Sequence, residues 1–97
     1  MLTKAFIPYQ GYYYRMLTRQ GSNAPGGKYN YIINGNMIAG CALIAYPAEY
    51  GSSGIMTFVV SHEGVVFEKD LGETTADIVE YIREYNPDQT WEEVEED

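Results

Sequence analysis

Short two-sided and apolar runs separated by turn residues occupy the chain up to residue 72, and helical spacing appears only after it. Over residues 12–19, Tyr12, Tyr14, Met16 and Thr18 fall on one side of an extended chain. Tyr13, Arg15, Leu17 and Arg19 fall on the other. This predicts a strand with one face richer in charge. Residues 41–46 are apolar on both faces, as a central strand is, and Pro47, which lacks a ladder donor, ends it. Residues 55–61 read as a third strand. Ser61-His62-Glu63-Gly64 follows as a tight turn in which Gly64 supplies positive φ. A fourth strand spans residues 65–70, with Val65 and Phe67 facing one way and Val66, Glu68 and Asp70 the other. Its rising charge predicts a sheet edge.

Two stretches interrupt this meander. Residues 21–27, GSNAPGG, form a loop of small residues. Residues 28–40 are an excursion in which Tyr29, Tyr31, Ile32 and Ile33 look extended and Asn34-Gly35 reads as a turn. That segment is either a short hairpin or an irregular return of Met37 and Ile38 over the core. After residue 72 the period changes. Thr74 stands at an N-cap position with Asp77 three residues on, and Ile78, Val79, Ile82 and Tyr85 make an apolar stripe that predicts a helix over 74–86. Asn86-Pro87 stops it. Trp91 is expected to dock as an anchor and residues 92–97 to form an acidic tail. Residues 1–10 are a lead-in in which Phe6, Ile7 and Tyr9 could pack. The expected fold is one α+β domain: an antiparallel four-stranded sheet meander over 12–72, with a long excursion at 21–40 and one C-terminal helix packed on it.

This arrangement leaves apolar surface over. A helix of about 13 residues is roughly 20 Å long and covers part of one sheet face. The runs at 41–44 and 55–60 are apolar on both sides. The excursion, a second copy or a missing helix would have to cover the rest, and an uncovered patch of a few hundred Å² marks an interaction surface.

Composition sharpens the picture in three places. Ten of the aromatics are tyrosines, against three phenylalanines and one tryptophan, which suits strands and half-buried surfaces. The net charge of −8 is unevenly placed. Residues 1–62 set Lys4, Arg15, Arg19 and Lys28 against Glu49, whereas residues 63–97 set Lys69 and Arg83 against thirteen acids. That is a solvated acidic face, or a contact with a basic partner such as the Arg15/Arg19 side of another copy. Nucleic acid is excluded as a partner for want of a basic patch. The single cysteine, Cys41, cannot form an internal disulfide and reads as a small buried hydrophobe. No apolar run approaches the ~20 residues of a bilayer span, and no export signal is present.

The residues supply no reacting constellation. His62 and Glu63 read as turn residues, and one histidine with one cysteine cannot build a His-based zinc site. Ser61, adjacent to His62 on a strand, points to the opposite face and makes no triad. Glu68 and Asp70 share a face at i, i+2, but without an Asx-rich loop they are an edge-strand pair. The APGG loop lacks the Lys-Ser/Thr of a phosphate cradle. No catalytic, cofactor or metal residue is assigned. Tyr12, Tyr13, Tyr14, Tyr29 and Tyr31 could instead form an aromatic ligand platform.

One resemblance is specific. PYQGYYYRMLTRQG, then APGG, then INGNMIAGCALIAYPAEYGSSGIMTFVVSHEGVVFEKDLG closely resembles the C-terminal half of a bacterial envelope protein family of unknown function with distant similarity to pilins and pseudopilins. It covers roughly residues 8–87. The resemblance implies a pilin-like sheet, export to the periplasm or beyond, and an N-terminal half whose helix lies on the sheet; this chain departs from the family in lacking that half and the signal. The expected function is a non-catalytic structural or protein-interaction module of the envelope that assembles through its apolar sheet face. Self-association or the missing helical half would supply the partner. Tyr12, Tyr13, Tyr14, Arg15, Arg19 and Val59 are the candidate interaction residues. The alternative is a module that binds a small ligand or peptide on the tyrosine-rich face.

Overall fold

The computed structural model describes residues 8–95. Eight strands precede a single short helix and a ninth strand follows it: β1 Tyr12–Leu17, β2 Arg19–Gln20, β3 Tyr29–Asn30, β4 Ile32–Ile33, β5 Asn36–Met37, β6 Ala42–Pro47, β7 Thr57–Ser61, β8 Val66–Lys69, α1 Thr75–Val79 and β9 Glu92–Glu93. Five of the strands form one antiparallel sheet in the order β1-β6-β7-β8-β9. Two ribbons, β2-β3 and β4-β5, stand apart from it. The four expected strands are found as β1, β6, β7 and β8, with β6 interior to the sheet, but the strand expected over 12–19 stops at Leu17 and Arg19 passes to β2 in a separate ribbon. The expected α+β class with a four-stranded sheet and one C-terminal helix is overturned, because the fold is mostly β with one short helix.

Two local causes account for the difference. The predicted 74–86 helix runs only from Thr75 to Val79, and Thr74 makes no side-chain cap. Beyond it, Tyr81 and Ile82 donate to carbonyls three residues back, Ile78 and Val79, which tightens the turn rather than extending the helix. Arg15 on β1 then donates to the Val79 carbonyl at 2.6 Å and the Ile82 carbonyl at 2.9 Å. Tyr85 joins β2 in a parallel bridge, its N–H bonding the Arg19 carbonyl and its own carbonyl accepting from Gly21 N–H, both at 3.0 Å. Tertiary partners thus replace the helical ones over the second half of the stripe. So short a helix has little stability of its own to resist them.

The second cause lies at the acidic end. β8 is not an edge, since β9 pairs with it (Phe67 opposite Glu93, Glu68 opposite Glu92), and the Val94 N–H adds a bond to the Val66 carbonyl at 2.8 Å. Trp91 packs against the core as an anchor and draws the two glutamates into register. An Asp88 turn helps: its carboxylate accepts from Thr90 N–H at 2.8 Å and from the Thr90 hydroxyl, which in turn accepts from Lys69 Nζ at 2.8 Å. Those bonds to Thr90 hold the Asp88 carboxyl below its usual range. The readings at Phe6, Ile7 and the last two acids lie outside the described residues.

The core lies on one face of the sheet. Leu17, Ala42, Ile44, Tyr46 and Val59 project into it and are met by Val79, Tyr85, Tyr31 and Ala24 from the covering segments. The excursion contributes Tyr31, which is fully buried. Its hydroxyl donates to Gln20 Oε1 at 3.0 Å, and Gln20 Nε2 donates to the carbonyls of Pro25 and Gly27, both at 2.7 Å. A buried amide is tolerated there because its polar atoms are paired. The predicted turn at Asn34-Gly35 closes the β4-β5 ribbon with φ of 51° and 82°, both in the left-handed region that a two-residue hairpin requires. Ile32, Ile33, Met37 and Ile38 on that ribbon remain exposed. Cys41, expected buried, is exposed just ahead of β6.

Candidate functional site: the open face of the sheet

Strand register divides the side chains into two sets. One row across the sheet reads Arg15, Ile44, Val59, Phe67, Glu93 and belongs to the covered face. The neighbouring row reads Tyr14, Ala45, Phe58, Glu68, Glu92 and belongs to the opposite face. The next row on that opposite face is Met16, Leu43, Val60, Val66. Of the other elements, α1 packs on β6, and it does so from the core side, where Val79 joins Ile44. The opposite face is left without a covering layer among the described residues. Met16 is 50% exposed and Tyr14 38%, while Leu43, Ala45, Phe58 and Val60 are half-buried.

The face has a built end and a charged side. At one end Tyr12 lies along the sheet, its hydroxyl donating to the Met56 carbonyl at 2.9 Å and its ring 6.0 Å from that of Phe58. The contact needs Gly54, because a Cβ there would stand 2.8 Å from Tyr12 Cε1 and Cζ. Burial raises the Tyr12 phenol above its usual value, with Tyr14 and Glu68 adding to the effect. On the β8-β9 side the acids gather. Glu92 stands directly opposite Glu68, and Asp70 accepts from the Tyr50 hydroxyl at 2.6 Å. Like charges in register destabilise a strand pair. The ion pair among the described residues is elsewhere, between Arg19 and Glu84 at 3.1 Å.

The six candidate interaction residues do not form one surface. Tyr12 and Tyr14 lie on the open face. Tyr13 and Arg15 are on the covered side, where Tyr13 packs 5.6 Å from Tyr46 and Arg15 is spent on the Val79 and Ile82 carbonyls. Arg19 is exposed but paired with Glu84. Val59 is only 3% exposed and faces Ile44 in the core, so it is a packing residue. The residues that take its intended place are its chain neighbours, Phe58 and Val60. The signal for them was present in the alternation, but it could not tell which parity the chain would cover. The five tyrosines of the supposed platform are likewise divided, since Tyr31 is buried with Tyr29 at its edge, 5.6 Å away.

Elsewhere the surface offers less. A cleft of about 360 Å³ lies between Arg19, Tyr81, Arg83 and Trp91, and one of its two cations, Arg19, is already held by Glu84. His62 sits at the β7-β8 turn and meets Cys41 through backbone-to-ring contact, its Nδ1 3.2 Å from the Cys41 N–H. No cluster of three metal-ligating side chains occurs among the described residues, and no helix there is long and apolar enough to cross a membrane.

Comparison with known proteins agrees with the resemblance only in placing the chain in a family of unknown function. Neither the curated proteins nor the solved structures contain a match to the chain. Residues 2–94, nearly the whole sequence, match the family described as "Protein of unknown function (DUF2950)". The chain belongs to that family.

Proposed function

We propose that this chain is a non-catalytic protein-interaction module that docks through the open apolar face of its five-stranded sheet. The observation that supports this is the asymmetry of the sheet. Among the described residues, the C-terminal segment and the excursion cover one face, and Met16, Leu43, Phe58 and Val60 face outward on the other. Contiguous apolar surface of this kind is uncommon on a monomer and marks places where another molecule binds. The envelope setting belongs to this proposal and rests on the sequence resemblance alone.

The test uses an apolar-surface dye and sedimentation with two variants. Met16→Asp places a charge on the open face at an exposed position, and Ile38→Asp does so on the β4-β5 ribbon. Loss of dye binding or association in Met16→Asp, at an unchanged melting temperature, with Ile38→Asp behaving like the parent, supports the reading. Loss in Ile38→Asp alone contradicts it and moves the site to the ribbon.

A further inference from the structure

We infer that the occupant of the open face is an amphipathic helix of another protein carrying Lys or Arg along one long side, rather than a second copy of this chain. The inference rests on the docking reading above and adds the chemistry of the partner. Its first support is charge. By register, the outward positions of β1, β6, β7, β8 and β9 include Glu68 and Glu92 and no lysine or arginine. The nearby cations are turned away: Arg15 to the carbonyls of Val79 and Ile82, and Lys69 to Thr90 and the Trp91 ring. Two copies laid face to face would bring acids as the only charged groups to an otherwise apolar contact. A cation beside Glu68 and Glu92 would relieve the repulsion between them.

Shape is the second support. From β1 to β7 the apolar strip is two strand spacings wide, about 10 Å, which is the width of one helix. The six residues of β6 run about 20 Å, the length of roughly 13 helical residues. A helix seated along β6 would lie over Met16, Leu43, Ala45, Phe58 and Val60, and its β8-facing side would pass Glu68 and Glu92.

The probes are two synthetic 14-residue helical peptides with the same leucine stripe, one flanked by lysine and one by glutamate. Amide NMR shifts of the full chain locate the contact, and titration gives affinity. The lysine peptide is expected to shift Met16, Phe58, Val60 and Glu68 and to bind about tenfold tighter than the glutamate peptide, as two partly screened charge pairs supply. The advantage should fade at high salt. The double variant Glu68→Lys/Glu92→Lys should reverse the preference while keeping the footprint. Equal binding of both peptides at this footprint, or a homodimer that Met16→Asp dissociates and neither peptide displaces, overturns the inference while the docking face stands. Peptide shifts confined to other surfaces overturn both.

Discussion

The Arg15 guanidinium donates to the Val79 carbonyl at 2.6 Å, tying the first strand to the end of the only helix among the described residues. A second bond, to the Ile82 carbonyl at 2.9 Å, uses the same nitrogen. Burial lowers the Arg15 pKa from its usual value, but the group keeps its charge at any ordinary pH. Carbonyls at a helix end need such partners.

Replacing this residue tests that role. Arg15→Met should destabilise the protein by about 2–4 kcal/mol, since two carbonyls lose a charged donor at a partly buried site. Arg15→Lys should recover at most part of this, because an ammonium lacks the planar fork. Urea unfolding gives the magnitude. Hydrogen exchange should show the loss concentrated over residues 75–87; uniform loss would mean that Arg15 acts only through the sheet.

Alkaline pH should unfold the protein through its buried phenols. Burial, with smaller contributions from Tyr29 and Tyr85, pushes Tyr31 up to about 12 from 10 in the free side chain. The folded state therefore holds this proton more tightly than the unfolded one. Stability from Tyr31 is fully present below pH 10 and is lost as pH rises from about 10 to about 12. Tyr46 and Tyr85, also raised chiefly by burial, act in the same direction. Unfolding followed against tyrosinate absorbance should show this loss. Tyr31→Phe should flatten part of it while costing about 1–3 kcal/mol at neutral pH, because Gln20 Oε1 loses its donor.

Thr57 offers a stabilising change. It is fully buried on the core face, and its hydroxyl has no hydrogen-bond partner among the described residues. Thr57→Val keeps the shape and removes the unpaired group, and it should raise stability by about 1 kcal/mol in denaturant unfolding. A loss of stability would show that the hydroxyl is satisfied in solution.

Gly54 and Tyr12 should behave as a coupled pair. Gly54→Ala drives a Cβ into the Tyr12 ring and should cost about 1–3 kcal/mol, the usual range for overpacking. In a Tyr12→Ala background the same substitution should cost little. A double-mutant cycle measures the difference, and additive effects would contradict the close approach.

Much of the sheet was legible in the residues, and the reasons are specific. The two-sided pattern over residues 12–19 and the apolar runs at 41–46 and 55–61 placed strands within about two residues of β1, β6 and β7, with Gly64 and Asn34-Gly35 marking turns. The helix is shorter than its apolar stripe predicts because Ile82 and Tyr85 reach the core by another route, one supplied by Arg15 and β2 from sixty or more residues away. Glu92 and Glu93 looked too acidic to pair, and only the docking of Trp91 brings them to β8. The site was half legible. Apolar residues of both parities announced that one face would be left over, but Val59 and Phe58 are indistinguishable until the covering segment has chosen its side.

Docking of a partner requires that one apolar face of this sheet be open to its surroundings. Methyl NMR in the presence of a soluble paramagnetic agent measures this residue by residue. Strong broadening is expected at Met16, Leu43 and Val60, with Ile44, Val59 and Val79 remaining sharp. Equal protection of both groups in the dilute monomer would contradict it.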